Sequence, residues 1–214
     1  MRLLKRFSKI FSSLALSAVF TSGAQAASLL SDDFSSNRNG WPNFAASSSR
    51  DLGFAVIENG KYQLTPVQDR AYGVVPAPKQ ASDGNVRMTS TFFMYAGLGA
   101  GGAGLVCRMQ DMHNFYAFMV LGSGEWRISK AVKGTVTVLA QGSAGKQVMA
   151  GAVDAKLGAE CKGGQLSLSL AGRQVGSARD STFANGKAGL FVAGEQAAGT
   201  SAVFDDFSLD ALTN

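Results

Sequence analysis

Hydrophobic and polar residues alternate over short stretches of this chain, and turn-forming residues separate those stretches. The clearest stretch is Gln165–Leu170, in which every second residue is a leucine. Ala171-Gly172 follows it and leads into a further stretch that begins at Arg173. A period of two places side chains on opposite faces of a β-strand, so this region predicts two strands joined by a tight turn.

A second tight turn is predicted at Glu58-Asn59-Gly60-Lys61, immediately before the apolar Tyr62 and Leu64. An Asn-Gly pair suits a type I′ turn, because both central residues of that turn need a positive φ angle. The sequence therefore predicts a β-hairpin here.

Similar patterns predict strands along most of the remaining chain. The further candidates are residues 85–95, 103–109, 115–121, 125–130, 134–140, 155–161, 187–193 and 202–210. No stretch sustains the spacing of apolar residues that is typical of a capped helix. Many short strands without crossover helices predict an all-β fold, an antiparallel sandwich of two sheets. Because no repeat or linker divides residues 27–214, we expect them to form a single domain.

Residues 1–26 have a different composition, which predicts a secretory signal peptide. They contain four basic residues and no acidic one, then an apolar run from Ile10 to Phe20, and they end in Ala24-Gln25-Ala26. These are the charged, apolar and small-residue parts of an export signal. The apolar run is too short for a membrane span, which needs about 20 residues. Cleavage after Ala26 would export the protein to the periplasm or the extracellular space; the alternative is an amphipathic helix that the protein retains.

The net charge changes once this segment is set aside. The full chain of 214 residues has 20 basic and 15 acidic residues, a formal charge of +5. Residues 27–214 keep 16 basic and 15 acidic residues, a charge of +1, because four basic residues lie in the leader. No run of lysine and arginine remains, so nucleic acid is not predicted as a partner.

The two cysteines, Cys107 and Cys161, predict a disulfide, because an exported protein meets an oxidising compartment. The alternative is a pair of buried free thiols. The single histidine excludes a metal centre built from several histidines of one chain.

Residues 104–121 predict a hairpin with two different faces. If the turn spans Gln110 to Asn114, Met109 faces Phe115 and Arg108 faces Tyr116. The face expected to pack in the core carries Leu105, Cys107, Met109, Phe115, Ala117 and Met119. The opposite face carries Val106, Arg108, Tyr116 and Phe118, and the next hairpin adds Arg127 and Ser129 to it while it places Trp126 and Ile128 on the core face.

We interpret this second face as a ligand surface. Aromatic rings stack on the apolar faces of sugars, and an arginine donates hydrogen bonds to hydroxyls or carboxylates. The predicted ligand-binding residues on the face are Arg108, Tyr116, Phe118 and Arg127. The alternative is a mixed polar surface that a loop covers.

The same hairpin carries a family resemblance. Its segment G-L-V-C-R-x-x-D-x-x-N-F-Y-A-F begins at Gly104, after an early Asp32-Asp33-Phe34 with Gly40-Trp41. A late D-x-x-F-x-x-G-x-x-G-L from Asp180 leads to Phe204-Asp205-Asp206-Phe207. Together these motifs resemble the concanavalin A-like lectin/glucanase jelly roll, in the version found in laminin-G-like and 3-keto-disaccharide-hydrolase-like bacterial extracellular domains.

The resemblance covers nearly all of residues 31–210 and implies a jelly roll in which the first and last strands pair. The polar motif residues Asp111 and Asn114 join the candidate ligand-binding set. The resemblance does not bring catalysis, because the E-x-D-x-x-E strand motif of such glucanases is missing from this sequence.

Pairing of the terminal strands would also bring carboxylates together. Asp32, Asp33, Asp205 and Asp206 would then converge, and related sandwiches hold structural calcium near such termini. Calcium takes six to eight oxygen ligands. A structural Ca²⁺ ion is therefore the one cofactor suggested, and the alternative is that these carboxylates point apart and cap turns.

Three functions remain open at this point. The leading hypothesis is an exported, non-catalytic module that binds a glycan or another component of the cell envelope. The second is a glycoside hydrolase of the concanavalin A-like class. The third is a periplasmic protein-interaction role, such as an inhibitor or immunity partner.

Overall fold

The chain forms β-strands throughout the part that its structure, a computed structural model, describes: residues 26–45, 52–66, 72–95, 101–144, 155–194 and 200–213. The strands are β1 (Ala27–Asp32), β2 (Phe44–Ala45), β3 (Leu52–Glu58), β4 (Lys61–Pro66), β5 (Tyr72–Pro76), β6 (Val86–Tyr95), β7 (Gly102–Asp111), β8 (Asn114–Leu121), β9 (Glu125–Val132), β10 (Thr135–Ser143), β11 (Ala155–Lys162), β12 (Gln165–Leu170), β13 (Arg173–Arg179), β14 (Lys187–Ala193) and β15 (Ser201–Ala211). Over these ranges no helix is long and apolar enough to cross a membrane. The predicted signal peptide lies outside the described residues, apart from Ala26, and stays a prediction.

The strands form two antiparallel sheets. The larger runs β13-β12-β11-β6-β15-β4-β3-β2, with β1 also paired to β15, and the smaller runs β10-β9-β8-β7-β14-β5. Along the β1–β15 pair, Ala27 lies opposite Ala211 and Asp32 opposite Phe207. The two-sheet, all-β fold and the pairing of its terminal strands are thus confirmed.

Both predicted tight turns are present, and the Asn59-Gly60 turn has the predicted backbone geometry. Asn59 and Gly60 have φ angles of 53° and 71°, and Glu58 pairs with Lys61 across the turn. Ala171 has a φ of 49° and Gly172 one of 77°. Positive φ at both central positions is the property of a type I′ turn, whose twist matches that of the strands it joins.

The main core fills the space between the sheets. The alternating Leu166, Leu168 and Leu170 of β12 are buried there, as the sequence pattern predicts. Side chains of β7 and β8 approach from the other sheet, among them Leu105 and Phe118. Burying a side chain of this size stabilises the fold by about 1.5–3 kcal/mol.

An aromatic cluster closes one end of this core beside the β1–β15 pair. Trp41 contacts Phe34, Tyr62 and Phe207 with ring centroids 5.4, 5.3 and 5.1 Å apart. Its indole Nε1 donates a hydrogen bond of 2.8 Å to Oδ2 of the buried Asp32. The sequence motifs that frame the chain, Asp32-Asp33-Phe34 and Gly40-Trp41, therefore serve packing.

The predicted disulfide is present and joins the two sheets. Cys107 of β7 is bonded to Cys161 of β11, with their Cα atoms 6.7 Å apart. Both side chains are fully buried in the main core. The bond thus fixes the smaller sheet to the larger one through the interior.

Candidate ligand-binding face

The pairing of β7 with β8 differs by one residue from the predicted register. Cys107 lies opposite Tyr116 and Val106 opposite Ala117, whereas we expected Arg108 to face Tyr116. The ladder is interrupted between Cys107 and Asp111, and Arg108 in this bulge has a φ of 50°. Because side chains alternate along a strand, a shift of one residue exchanges the two faces of β8.

The predicted ligand face is therefore wrong for three of its residues. Tyr116 and Phe118 point into the main core and are fully buried. Arg108 is also buried, with only 2% of its surface exposed. These side chains cannot contact a ligand on the outside of the sheet.

Arg108 is held by uncharged acceptors at one end of the sandwich. Its Nε donates to the Gly84 carbonyl at 3.3 Å, its Nη1 to the Phe183 carbonyl at 3.0 Å and its Nη2 to Asn85 Oδ1 at 3.1 Å. Burial lowers the pKa of the Arg108 guanidinium. The arginine joins two loops, the one before β6 and the one between β13 and β14, and acts as a structural residue.

Tyr116 and Lys130 together bind Asp180, which follows β13. The Tyr116 hydroxyl donates to Asp180 Oδ1 at 2.5 Å, and Lys130 Nζ donates to Asp180 Oδ2 at 2.6 Å and to Thr182 Oγ1 at 2.9 Å. Burial by itself raises the pKa of the Asp180 carboxyl, but the hydrogen bonds from Lys130, Thr182 and Tyr116 outweigh it and hold this pKa well below its ordinary 3.8. Burial and the neighbouring Asp180 raise the pKa of the Tyr116 hydroxyl.

Asp111 and Asn114 form the turn between β7 and β8. Asp111 Oδ1 accepts hydrogen bonds from the His113 backbone at 2.7 Å and from Asn114 Nδ2 at 2.9 Å. Asn114 Oδ1 accepts from the backbone of Lys133 at 2.9 Å, which connects this turn to the turn between β9 and β10. The hydrogen bond from His113 is the largest of the effects that lower the pKa of the exposed Asp111 carboxyl.

Arg127 keeps its predicted position on the outside of the smaller sheet, two residues before Ser129. Its Nη2 lies 3.4 Å from Glu125 Oε2, and the Arg127 side chain is 24% exposed. Trp126 and Ile128, which alternate with these residues, are buried in the main core as predicted.

The outside of the smaller sheet carries a second hydrophobic cluster, which we call the outer apolar face. Its buried members are Val74, Val106, Met109, Phe115, Ala117, Met119, Leu121, Ala131, Phe191 and Ala193, and Tyr72 and Met112 pack against them. Met109, Phe115, Ala117 and Met119 were predicted in the main core. The shifted register places the three β8 residues here instead, and the bulge in β7 places Met109 here. Val136 and Val138 of the edge strand β10, 51% and 43% exposed, lie beside Ala131 and Ser129 on the same side.

A pocket of about 220 Å³ opens in the outer apolar face. Three aromatic rings meet at it: Tyr72 lies 5.4 Å from Phe115 and 6.0 Å from Phe191 between ring centroids. The complete lining is Tyr72, Phe115, Ala117, Met119, Ser129, Lys130, Ala131, Gly134, Val136, Phe191 and Ala193. This is the kind of mostly apolar concavity with few polar groups that binds small molecules.

One hydroxyl in this lining is left without a partner. Ser129 is 2% exposed, and its Oγ makes no hydrogen bond to the described part of the chain. A buried hydroxyl without a partner costs about 1–3 kcal/mol of stability. Such a group is a candidate for recognition of a ligand that completes its hydrogen bonding.

The first predicted pair of calcium ligands is occupied by turn contacts. Asp32 accepts hydrogen bonds from Asn39 Nδ2 at 2.7 Å and Trp41 Nε1 at 2.8 Å. Asp33 accepts from the backbone and the hydroxyl of Ser35 at 3.1 and 2.8 Å. The Asp33 side chain therefore caps the turn that follows β1, which was the alternative to calcium binding.

In the second pair, the Asp205 carboxylate is also engaged elsewhere. Asp205 forms an ion pair with Lys61, and the backbone of Asp206 donates to Asp205 Oδ1 at 2.8 Å. Among the described residues no group of three or more His, Cys, Asp or Glu side chains could hold a metal ion. The predicted convergence of the four carboxylates is therefore wrong, although the terminal strands do pair.

Sequence reasoning missed Tyr72 and Phe191 as site residues. The signal was present in β14, where Ala188–Ala193 is an unbroken apolar run. A strand that is buried on both faces has a continuous run of apolar residues, whereas a strand with one face in water alternates apolar and polar residues. The run indicated that the smaller sheet has apolar side chains on its outer side as well.

Comparisons with known proteins show which solved structures have a similar fold. No protein-family model and no curated protein sequence matches the chain. The solved structure of the carbohydrate-binding module CBM66 from Bacillus subtilis matches with a TM-score of 0.63 and 22% identity, over 80% of this chain and 96% of that chain. A protein of unknown function with a galectin-like fold from the same organism has a TM-score of 0.62 and 16% identity, over 88% and 97% of the two chains.

An enzyme has the same architecture. A β-glucanase from Bacillus licheniformis matches with a TM-score of 0.59 and 9% identity, over 87% of this chain and 99% of that chain. At sequence identities this low, the matches show a shared architecture and do not identify a ligand, because one fold hosts many functions. The described residues share the two-sheet jelly-roll sandwich fold of these solved structures.

Proposed function

We propose that residues 27–214 form an exported, non-catalytic module that binds a glycan on the outer apolar face of the smaller sheet. The observation that carries this proposal is the pocket in which the rings of Tyr72, Phe115 and Phe191 meet beside the unpartnered Ser129 hydroxyl. Aromatic rings contact the C–H faces of sugars, and single polar groups fix the orientation of the ligand.

The fold supports a glycan as the ligand class. The structural neighbours include a carbohydrate-binding module and a β-glucanase, two kinds of protein whose names state a carbohydrate ligand or substrate.

Export is supported by two independent features. The leader has the three parts of a signal peptide, and the Cys107–Cys161 bond is of the kind that persists in oxidising compartments. A periplasmic or extracellular location would bring the module to the compartment where envelope glycans are found.

A pair of neighbouring substitutions tests the proposed face. Val136 is 51% exposed and lines the pocket, whereas the exposed Thr137 points to the other side of the same edge strand. Val136→Asp places a carboxylate at the pocket, where it loses water when the ligand binds. We expect it to weaken glycan binding by about tenfold or more, whereas Thr137→Asp leaves binding unchanged.

The measurement is a glycan array followed by calorimetric titration of each hit with the wild type and both variants. Unfolding curves of the two variants should coincide, because both positions are exposed. The proposed face is refuted if glycan binding is the same in both variants, and the proposed function is refuted if no glycan binds the wild type. Release of shortened sugars during the titration would favour the hydrolase alternative instead.

A further inference from the structure

The pocket offers a ligand very few polar side-chain atoms. The Tyr72 hydroxyl donates to the Met112 carbonyl at 3.1 Å, and Lys130 Nζ is bound by Asp180 and Thr182. Within the pocket lining, these two and Ser129 are the residues with a polar side chain. The Ser129 hydroxyl is thus the polar side-chain group of this lining that the described fold leaves without a hydrogen-bond partner.

This inventory excludes a fully hydroxylated sugar ring as the buried part of the ligand. Each sugar hydroxyl that enters without a partner loses its water hydrogen bonds and weakens binding by about one to two orders of magnitude. The walls of the pocket are mainly carbon, with Phe115, Met119 and Phe191 among them. The buried group must therefore be mostly apolar and carry one hydrogen-bond acceptor.

The surroundings of the pocket are polar, which favours a ligand with a polar remainder. Arg127 and Glu125 lie on the same face of β9 as Ser129 and form an ion pair with side chains 24% and 49% exposed. Those charged groups can bind hydroxyls in partial contact with water. An acyl chain, which has no polar remainder, would leave them unused.

Resting on the proposed glycan-binding function, we infer that the pocket binds the acetamido group of an N-acetylated sugar. The methyl group contacts the rings of Tyr72, Phe115 and Phe191, and the carbonyl oxygen accepts a hydrogen bond from Ser129 Oγ. The sugar ring lies outside the pocket beside Val136, with its hydroxyls toward solvent. A volume of about 220 Å³ accommodates such a group and is below the 300 Å³ or more of a pocket for a drug-sized ligand.

The experiment uses trimers that differ in one substituent. The full chain is titrated with the trimers of N-acetylglucosamine, glucosamine and glucose, which share one linkage, and with an acetyl-lysine peptide. We expect the N-acetylglucosamine trimer to bind at least about tenfold more tightly than each of the other three. Equal binding of the glucose trimer would overturn the inference and leave the proposed glycan-binding function intact; equal binding of the peptide would also overturn it, because the sugar would then contribute nothing.

Ser129→Ala tests the hydrogen bond, with Ser177→Ala on the exposed surface of β13 as the matched control. Because Ser129 Oγ has no partner in the described fold, its removal should not lower the unfolding midpoint. We expect Ser129→Ala to weaken binding of the N-acetylglucosamine trimer by about tenfold and Ser177→Ala to leave it unchanged. Unchanged binding by Ser129→Ala overturns the inference, and no binding of any glycan overturns both proposals together.

Discussion

Tyr116 lies opposite Cys107 in the β7–β8 ladder, and not opposite Arg108. This pairing turns the tyrosine ring into the main core and brings its hydroxyl within 2.5 Å of Asp180 Oδ1. It also turns Phe115, Ala117 and Met119 outward, where they form part of the outer apolar face. A register shift of one residue therefore decides whether Tyr116 makes a buried polar contact or lies on the predicted ligand face.

The Asp180 contact predicts a pH dependence of stability. The pKa of Asp180 is lowered in the folded state, so its contribution is full above the ordinary pKa of 3.8 and is lost as the pH falls toward the lower folded value. Its side chain is 13% exposed, and hydrogen bonds to a charged group contribute about 1.5–3 kcal/mol. We expect Asp180→Asn to lower the free energy of unfolding by about that amount at neutral pH, and by less at pH values near 3.

Urea titrations at several pH values measure this difference. Asp206→Asn removes an exposed carboxylate of the same type and is the matched control. A destabilisation by Asp180→Asn that is the same at neutral and acidic pH would contradict the prediction.

Arg108 is expected to be a structural residue. Its replacement by methionine keeps the length of the side chain but leaves the Gly84 and Phe183 carbonyls without their guanidinium donors. A buried acceptor without a partner costs about 1–3 kcal/mol, so we expect Arg108→Met to lower the free energy of unfolding by about 3 kcal/mol in total.

The control is Arg87→Met, because Arg87 is 52% exposed and pairs with Glu160 on the surface. Exposed ion pairs contribute about 0–1 kcal/mol. Equal unfolding midpoints for the two variants would show that the interior contacts of Arg108 do not stabilise the fold.

The sequence predicted the strands and the tight turns well because their causes are local. The leucine alternation of β12 and the Asn59-Gly60 pair act over a few residues, and the structure reproduces both. The faces of β8 depend instead on a bulge at Arg108, whose conformation is set by contacts with Gly84 and Phe183 far along the chain. Such a bulge leaves no local pattern, so the core and ligand faces of β8 were exchanged in the prediction.

The metal prediction failed for a related reason. Strand pairing was correct, but side-chain partners decided where each carboxylate points. Asn39 and Trp41 bind Asp32, and Lys61 binds Asp205. Proximity of acidic residues along paired strands therefore did not suffice to predict a cation site.

The disulfide should contribute substantially to stability. Cys107 and Cys161 are separated by 54 residues, and closing a loop of this length contributes about 4 kcal/mol in the chain-entropy model. We expect the double variant Cys107→Ala/Cys161→Ala to have a free energy of unfolding lower by about that amount. Thermal and urea unfolding measure it, and a wild type that unfolds at the same midpoint with and without reductant would contradict the prediction.

The leader should be removed on export. We expect the exported protein to begin at Ala27, because Ala24-Gln25-Ala26 has the small residues that signal peptidase requires. Intact mass and N-terminal sequencing of periplasmic and culture fractions test this. Ala26→Arg should leave the leader attached, whereas Gln25→Arg, at the tolerant middle position of the triplet, should be processed normally. Processing of Ala26→Arg at the same bond would favour the retained-helix alternative or another cleavage site.

Trp126 closes the side of the sandwich between the edge strands of the two sheets. A Cβ atom added to Gly142 of β10 or to Gly176 of β13 would collide with its indole ring. The ring is rigid and buried, so it cannot move aside as a flexible side chain would. We expect Gly176→Ala to lower the free energy of unfolding by about 1–3 kcal/mol, the usual cost of overpacking a core. Gly164→Ala is the control, because the nearest atom to its added Cβ would be the Asp180 carbonyl oxygen at 3.8 Å. If the two variants unfold at the same urea concentration, Trp126 does not fill this gap as tightly as the structure indicates. In that case the double variant Gly176→Ala/Trp126→Phe should be no more stable than Gly176→Ala.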